Sequence, residues 1–120
     1  MHIVNIEKVK DEKVSSSLFT ADVAIQTPFG ELDEPDLLVS YVHFPEGVHN
    51  KFHKHSTDQI LIVTQGQGFV ATEEKKVTVK EGDIILIPAG QIHKHGALPG
   101  YKFTHIALTR SNSKLKQVEK

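Results

Sequence analysis

The chain has 120 residues, a formal net charge of −1 and no cysteine. That length suits one apolar core, and a near-neutral balance without a Lys/Arg stripe excludes nucleic acid as a partner. The absence of cysteine removes disulfides, thiolate metal sites and a cysteine nucleophile, so any metal must be held by nitrogen and oxygen. Apolar runs stay short of the roughly 20 residues needed to cross a bilayer. The start, Met1 to Glu7, lacks the zones of a signal peptide, so no membrane association and a cytoplasmic location are expected.

Residues 1–13 are charge-rich and read as an edge strand or an arm. Leu18 to Ile25 is β-prone, and Pro28-Phe29-Gly30 breaks the run before the acidic loop Glu31 to Asp36. Leu37 to Phe44 is dense in β-formers and stops at Pro45-Glu46-Gly47. Ile60 to Thr64 and Phe69 to Thr72 read as two short strands, with the glycines of Gly66-Gln67-Gly68 turning a hairpin between them. Gly66-x-Gly68-x-x-Ala71 also fits a dinucleotide fingerprint, but that motif must open a helix, and the β-branched runs Val77 to Val79 and Ile84 to Ile87 follow instead. A last strand is expected from Tyr101 to Thr109, followed by a frayed polar tail from Arg110 to Lys120. Many short strands and no long amphipathic helix predict an all-β barrel or sandwich.

Eight histidines are many for this length and are the residues to explain. His53 and His55 are two apart, so on an extended strand both imidazoles leave the same face, which makes half a metal site. Gln59 shares that parity with the apolar Leu61 and Val63, so this row is expected to face a barrel interior. His2, His43 and His49 are assigned to no site, and Glu73 to Lys76 reads as a solvated hairpin tip.

Gly47-x5-His53-x-His55-x3-Gln59-x6-Gly66 and Gly82-x5-Pro88-x-Gly90-x2-His93-x3-Ala97 together resemble the two cupin motifs. The resemblance implies a cupin-type β-barrel or double-stranded jelly roll occupying residues 1–120 as one domain, with motif 1 at 47–66 and motif 2 at 82–97. It also carries the four metal ligands of the family onto His53, His55, Gln59 and His93. Gln59 stands where glutamate is usual and Ala97 where asparagine is usual. A neutral ligand set leaves a divalent ion its full charge toward the open positions, which favours Lewis-acid chemistry over redox oxygen chemistry. Manganese or iron is expected first, with nickel, cobalt or zinc as alternatives.

The glutamine, together with His93-x-His95-Gly96-Ala97 and Thr104-His105-Ile106-Ala107, resembles a narrower subgroup. That subgroup holds the cupin-type hydroxynitrile lyases and the small cupins associated with carboxymuconolactone decarboxylases. It implies a catalytic role for His105 beside the metal. Parity places Phe103 and Ala107 on the same face as His105, and Ser40, Val42 and Phe44 on the cavity side of the preceding strand, with His95 a further wall residue. The expected activity is a metal-dependent lyase on a small molecule, the alternatives being a dioxygenase and a non-catalytic binding module. The resemblance also implies a homodimer.

Overall fold

The computed structural model describes every residue except Asp33 and Glu34. Those two positions of the expected acidic loop therefore lie outside the described residues. Among the described residues a short 3-10 turn, Ile6–Lys8, leads into ten strands: β1 Glu12–Val14, β2 Val23–Gln26, β3 Leu37–Phe44, β4 His53–His55, β5 Gln59–Thr72, β6 Lys76–Lys80, β7 Ile84–Ile87, β8 His93–Ala97, β9 Phe103–Arg110 and β10 Leu115–Gln117. The fold is all-β, a curled antiparallel sheet of cupin type. Its strands follow the order β1-β2-β3-β9-β5-β8-β4-β10, with β6 and β7 also paired to β5. Among the described residues no helix is long and apolar enough to cross a membrane.

The expected break at Gly66-Gln67-Gly68 is not a turn. These residues lie inside β5, which runs unbroken from Gln59 to Thr72. The first half of β5 pairs with β7 and β9, and the second half with β6 and β8, with a register shift between Val63 and Gln65. The glycines serve that passage from one side of the barrel to the other. Gly66 has φ +81°, and a Cβ there would overlap the Lys102 carbonyl; one on Gly68 would meet Gly96 O and the Phe103 ring.

Two further expectations are corrected. Of the segment Leu18 to Ile25, only Val23 onward is strand; Phe19 makes a single bridge to Asn50. The tail is not frayed throughout, because Leu115–Gln117 forms β10 antiparallel to β4. Two of its three residues, Lys116 and Gln117, are polar, so its strand conformation comes from the partner edge and not from local hydrophobic pattern.

The core is built as alternation dictates. Val42 and Phe44 of β3, Val63 of β5, Val79 of β6, Ala97 of β8 and Phe103 of β9 point inward and pack with Val23. Each large apolar side chain fully buried there is worth about 1.5–3 kcal/mol. The opposite faces of four strands form two apolar rows, Leu86–Ile60–Leu108–Val39 and Ile84–Ile62–Ile106–Tyr41, matched across the ladders. Ile84 and Leu86 are 69% and 61% exposed.

Candidate metal centre

Strand β4 is only three residues long, yet it delivers His53 and His55 to one side because alternate residues share a face. It is held between β8, where His53 pairs with His93, and β10, where Leu115 pairs with His55. Gln59 opens β5 with its side chain inward and is 7% exposed. Ligand nitrogens of His53, His55 and His93 all lie within 4.8 Å of one another.

The hydrogen bonds around this cluster decide which nitrogens are free. His53 Nδ1–H donates to Lys51 O at 2.6 Å and His93 Nδ1–H to Gln91 O at 2.9 Å. A carbonyl only accepts, so in each neutral ring the proton is on Nδ1 and the lone pair on Nε2. His55 Nε2, His93 Nε2 and Gln59 Oε1 are buried and have no hydrogen-bond partner among the described residues. Buried lone pairs without donors are costly. A divalent cation in their midst would satisfy them, and three imidazoles with an amide oxygen make a donor set that such an ion accepts.

Burial also keeps the imidazoles neutral, as coordination requires. It lowers His53 to about 4, a shift opposed by the Lys51 carbonyl and assisted by His93 and His55. His55 is lowered to about 4 by burial and by His93, and burial lowers His93 as well.

A cavity of about 260 Å³ adjoins the cluster, reached by His53, His55 and Gln59. His93 stands behind His53, their ring centroids 4.3 Å apart. Ser40, Val42 and Phe44 line the cavity from β3, and His95, His105 and Ala107 from β8 and β9. Leu18, Phe19, Ile25 and Leu38 give it an apolar side, and among the described residues no Asp, Glu, Lys or Arg contributes to the wall. Phe103, expected in the wall, sits deeper: it is 2% exposed in the apolar core, its ring 6.0 Å from Phe44 and 5.7 Å from His105. Strand parity gives the face of a residue but not its depth along the barrel.

His105 is 1% exposed, and its Nε2 lies 3.2 Å from His95 Nδ1. Burial lowers His105 to about 4, and it lowers His95 well below the ordinary range. Both rings are thus neutral near pH 7. His43 faces the outer side, between Thr104 at 2.9 Å and Gln26 at 2.6 Å, and His49 Nδ1–H donates to the Asn50 carbonyl at 2.7 Å.

Two cavity residues carry no sequence signal of their own. Asn50, 3% exposed, accepts the His95 backbone N–H at 2.8 Å through Oδ1. Leu115 reaches the cavity from the C-terminal strand. Asn50 occupies a position that motif 1 leaves unspecified and Leu115 lies beyond both motifs, so only the tertiary pairing of distant segments brings them in.

A small β-barrel enclosing a histidine cluster of this kind defines a cupin. The family model of the AraC-like ligand binding domain matches residues 34–112, and the chain belongs to that family. An (R)-mandelonitrile lyase from Granulicella tundricola is 31% identical over 109 residues, covering 90% of this chain and 83% of that enzyme. A cupin-like protein from Thermotoga maritima is 30% identical with a TM-score of 0.80, covering 89% of this chain and 84% of that one. The polyketide cyclase RemF from Streptomyces resistomycificus superposes with a TM-score of 0.88 over 100% of this chain and 87% of that one; at 18% identity this is a likeness of fold alone.

Proposed function

We propose that this chain is a metal-dependent lyase cleaving small neutral hydroxy compounds of the cyanohydrin kind, with His53, His55, Gln59 and His93 as the metal ligands. The observation that carries this reading is a cavity that, among the described residues, has no charged side chain in its wall and is shared by His53, His55 and Gln59 with a buried neutral imidazole, His105. The relative that cleaves mandelonitrile supports the same class of reaction. Manganese or iron is the proposed ion. When bound, it supplies Lewis acidity toward a substrate oxygen or nitrogen.

The chain's own residues do the rest. His105 Nε2 takes the hydroxyl proton of the substrate; the O–H electrons close the carbonyl as the C–C bond to the nitrile breaks, and cyanide leaves with that pair. The proton on His105 then passes to cyanide, releasing hydrogen cyanide and restoring the neutral ring. Phe19, Leu38, Val42 and Phe44 hold the apolar part of the substrate, and Ser40 orients it.

The test is elemental analysis of the purified, untagged protein, followed by an assay for benzaldehyde and cyanide release from mandelonitrile with each of manganese, iron, nickel, cobalt and zinc. Near-stoichiometric metal and product release that is lost in His55→Ala are expected. No product with any ion would overturn the lyase reading. It would favour a second reading that the family match supports, a barrel that holds a small ligand without turnover.

A homodimer joined through the two apolar outer rows is part of the proposal. The two rows run across four paired strands, and Ile84 and Leu86, at 69% and 61% exposure, give them an apolar face that a second copy would cover.

A further inference from the structure

Asn50 is one of the five residues that motif 1 leaves unspecified between Gly47 and His53, and its contacts determine where a proton sits. Its backbone N–H donates to the His95 carbonyl at 2.9 Å, and its Oδ1 accepts the His95 N–H at 2.8 Å. The second bond fixes the orientation of the amide, since only the oxygen accepts. Nδ2, a donor without a lone pair to offer, therefore faces the His95 ring, 3.2 Å from Nε2 and 3.5 Å from Nδ1. His95 Nδ1 in turn lies 3.2 Å from His105 Nε2. All three side chains are buried, at 3%, 4% and 1% exposure, so the contacts among them carry much of the hydrogen bonding open to each.

We infer that Asn50 is a positioning residue that holds His95 in the Nδ1–H tautomer and so leaves a lone pair on His105 Nε2. The amide N–H needs an acceptor at His95 Nε2; the single proton of the neutral ring then sits on Nδ1 and points at His105 Nε2, whose own proton is on Nδ1. This rests on the proposed role of His105 and extends it. A substrate hydroxyl that displaces the His95 N–H meets a nitrogen ready to accept its proton. With a carboxylate oxygen in place of the amide nitrogen, each preference in the chain reverses: His95 carries its proton on Nε2, and His105 presents an N–H that cannot act as a base.

The experiment is nitrogen-15 NMR of histidine-labelled protein, free of metal after chelator treatment, with long-range correlations that separate the two ring nitrogens. It compares the natural chain with Asn50→Asp and with the nearly isosteric Asn50→Leu. The natural chain is expected to show His95 protonated on Nδ1 and His105 unprotonated on Nε2, Asn50→Asp the reverse, and Asn50→Leu a mixture for both rings. In the lyase assay Asn50→Asp is expected to lose kcat by at least about tenfold with KM little changed. A natural chain with His95 protonated on Nε2 would overturn the inference. So would an unchanged tautomer in either folded variant, and Asn50→Leu keeps the test open should a buried carboxylate prevent folding. Natural protein with the stated tautomers but no turnover would count against the lyase reading and leave the role of Asn50 intact.

Discussion

Leu115 sits directly across the antiparallel ladder from His55, so the C-terminal strand is hydrogen-bonded to the strand that carries two histidines of the cluster. Around that pair, Ser56 N–H donates to Lys114 O at 2.9 Å, Lys114 N–H to Ser56 Oγ at 2.8 Å, and Phe52 N–H to Glu119 Oε1 at 2.7 Å. A three-residue strand such as β4 has little rigidity alone and takes its geometry from both neighbours. Deleting residues 113–120 is expected to weaken metal binding by roughly tenfold or more, since imprecise ligand placement is costly. Competition with a chelating dye measures this, and unchanged affinity would reduce β10 to a cover.

The cluster itself has a direct test. His53→Ala with His55→Ala removes two of the four proposed ligands and is expected to abolish metal retention. The melting temperature of the metal-loaded protein should then fall to that of the chelator-treated protein, because an ion that binds only the folded chain adds RT ln(1 + [M]/Kd) to its stability. A double variant that keeps stoichiometric metal would place the site elsewhere.

Acid should destabilise the metal-free protein earlier than its carboxylates alone would. Burial holds His53 and His105 at about 4, against the ordinary 6.5 that an unfolded chain recovers. Between those values the unfolded state binds protons that the folded state refuses, so stability rises with pH across this window and falls as pH drops from about 7 to about 4. Each pH unit of difference is worth about 1.4 kcal/mol per fully buried ring. Urea midpoints of chelator-treated protein at pH 7, 6 and 5 should therefore decline stepwise; a flat series would show that the rings titrate normally.

Gly66→Ala should be among the most damaging single changes to the fold. It combines a backbone at φ +81° with a Cβ placed against the fixed Lys102 carbonyl, and a loss of a few kcal/mol is expected. Gly82, also at positive φ, has open space around it, so Gly82→Ala should cost only the backbone strain, about 1–2 kcal/mol. Thermal unfolding of the two variants side by side separates packing from strain.

Ile84→Glu with Leu86→Glu puts charge on the two most exposed members of the apolar rows. If these rows join two copies, the double variant should sediment as a monomer where the natural chain sediments as a dimer, with the metal content of the barrel unchanged. A monomeric natural chain would remove that part of the proposal.

Much of this arrangement is legible in the sequence because it is local. Strand β3 runs over the residues where β-formers are densest, and the alternation of Gln59, Leu61 and Val63 becomes a buried row at 7%, 1% and 2% exposure. The spacing of His53, His55 and His93 within the glycine and proline frame converges as a cluster. What escapes local reading depends on distant contacts. Gly66 and Gly68 look like turn residues, but the segment against which they must be small, Lys102 and Phe103, lies far along the chain. Leu115–Gln117 has no strand signature until β4 offers an unpaired edge, and Asn50 is one amide among loop residues until His95 lies beside it.

Strand β5 begins at Gln59 and ends beside the hairpin Glu73 to Lys75, laced to four other strands along the way. The other end of the strand is just as close to the site, because Thr72, at the base of the hairpin, pairs with His93 across the β5–β8 ladder. A fluorophore grafted on the hairpin would therefore sit one residue from the ladder that holds a proposed ligand, a position from which to read the state of the histidine cluster.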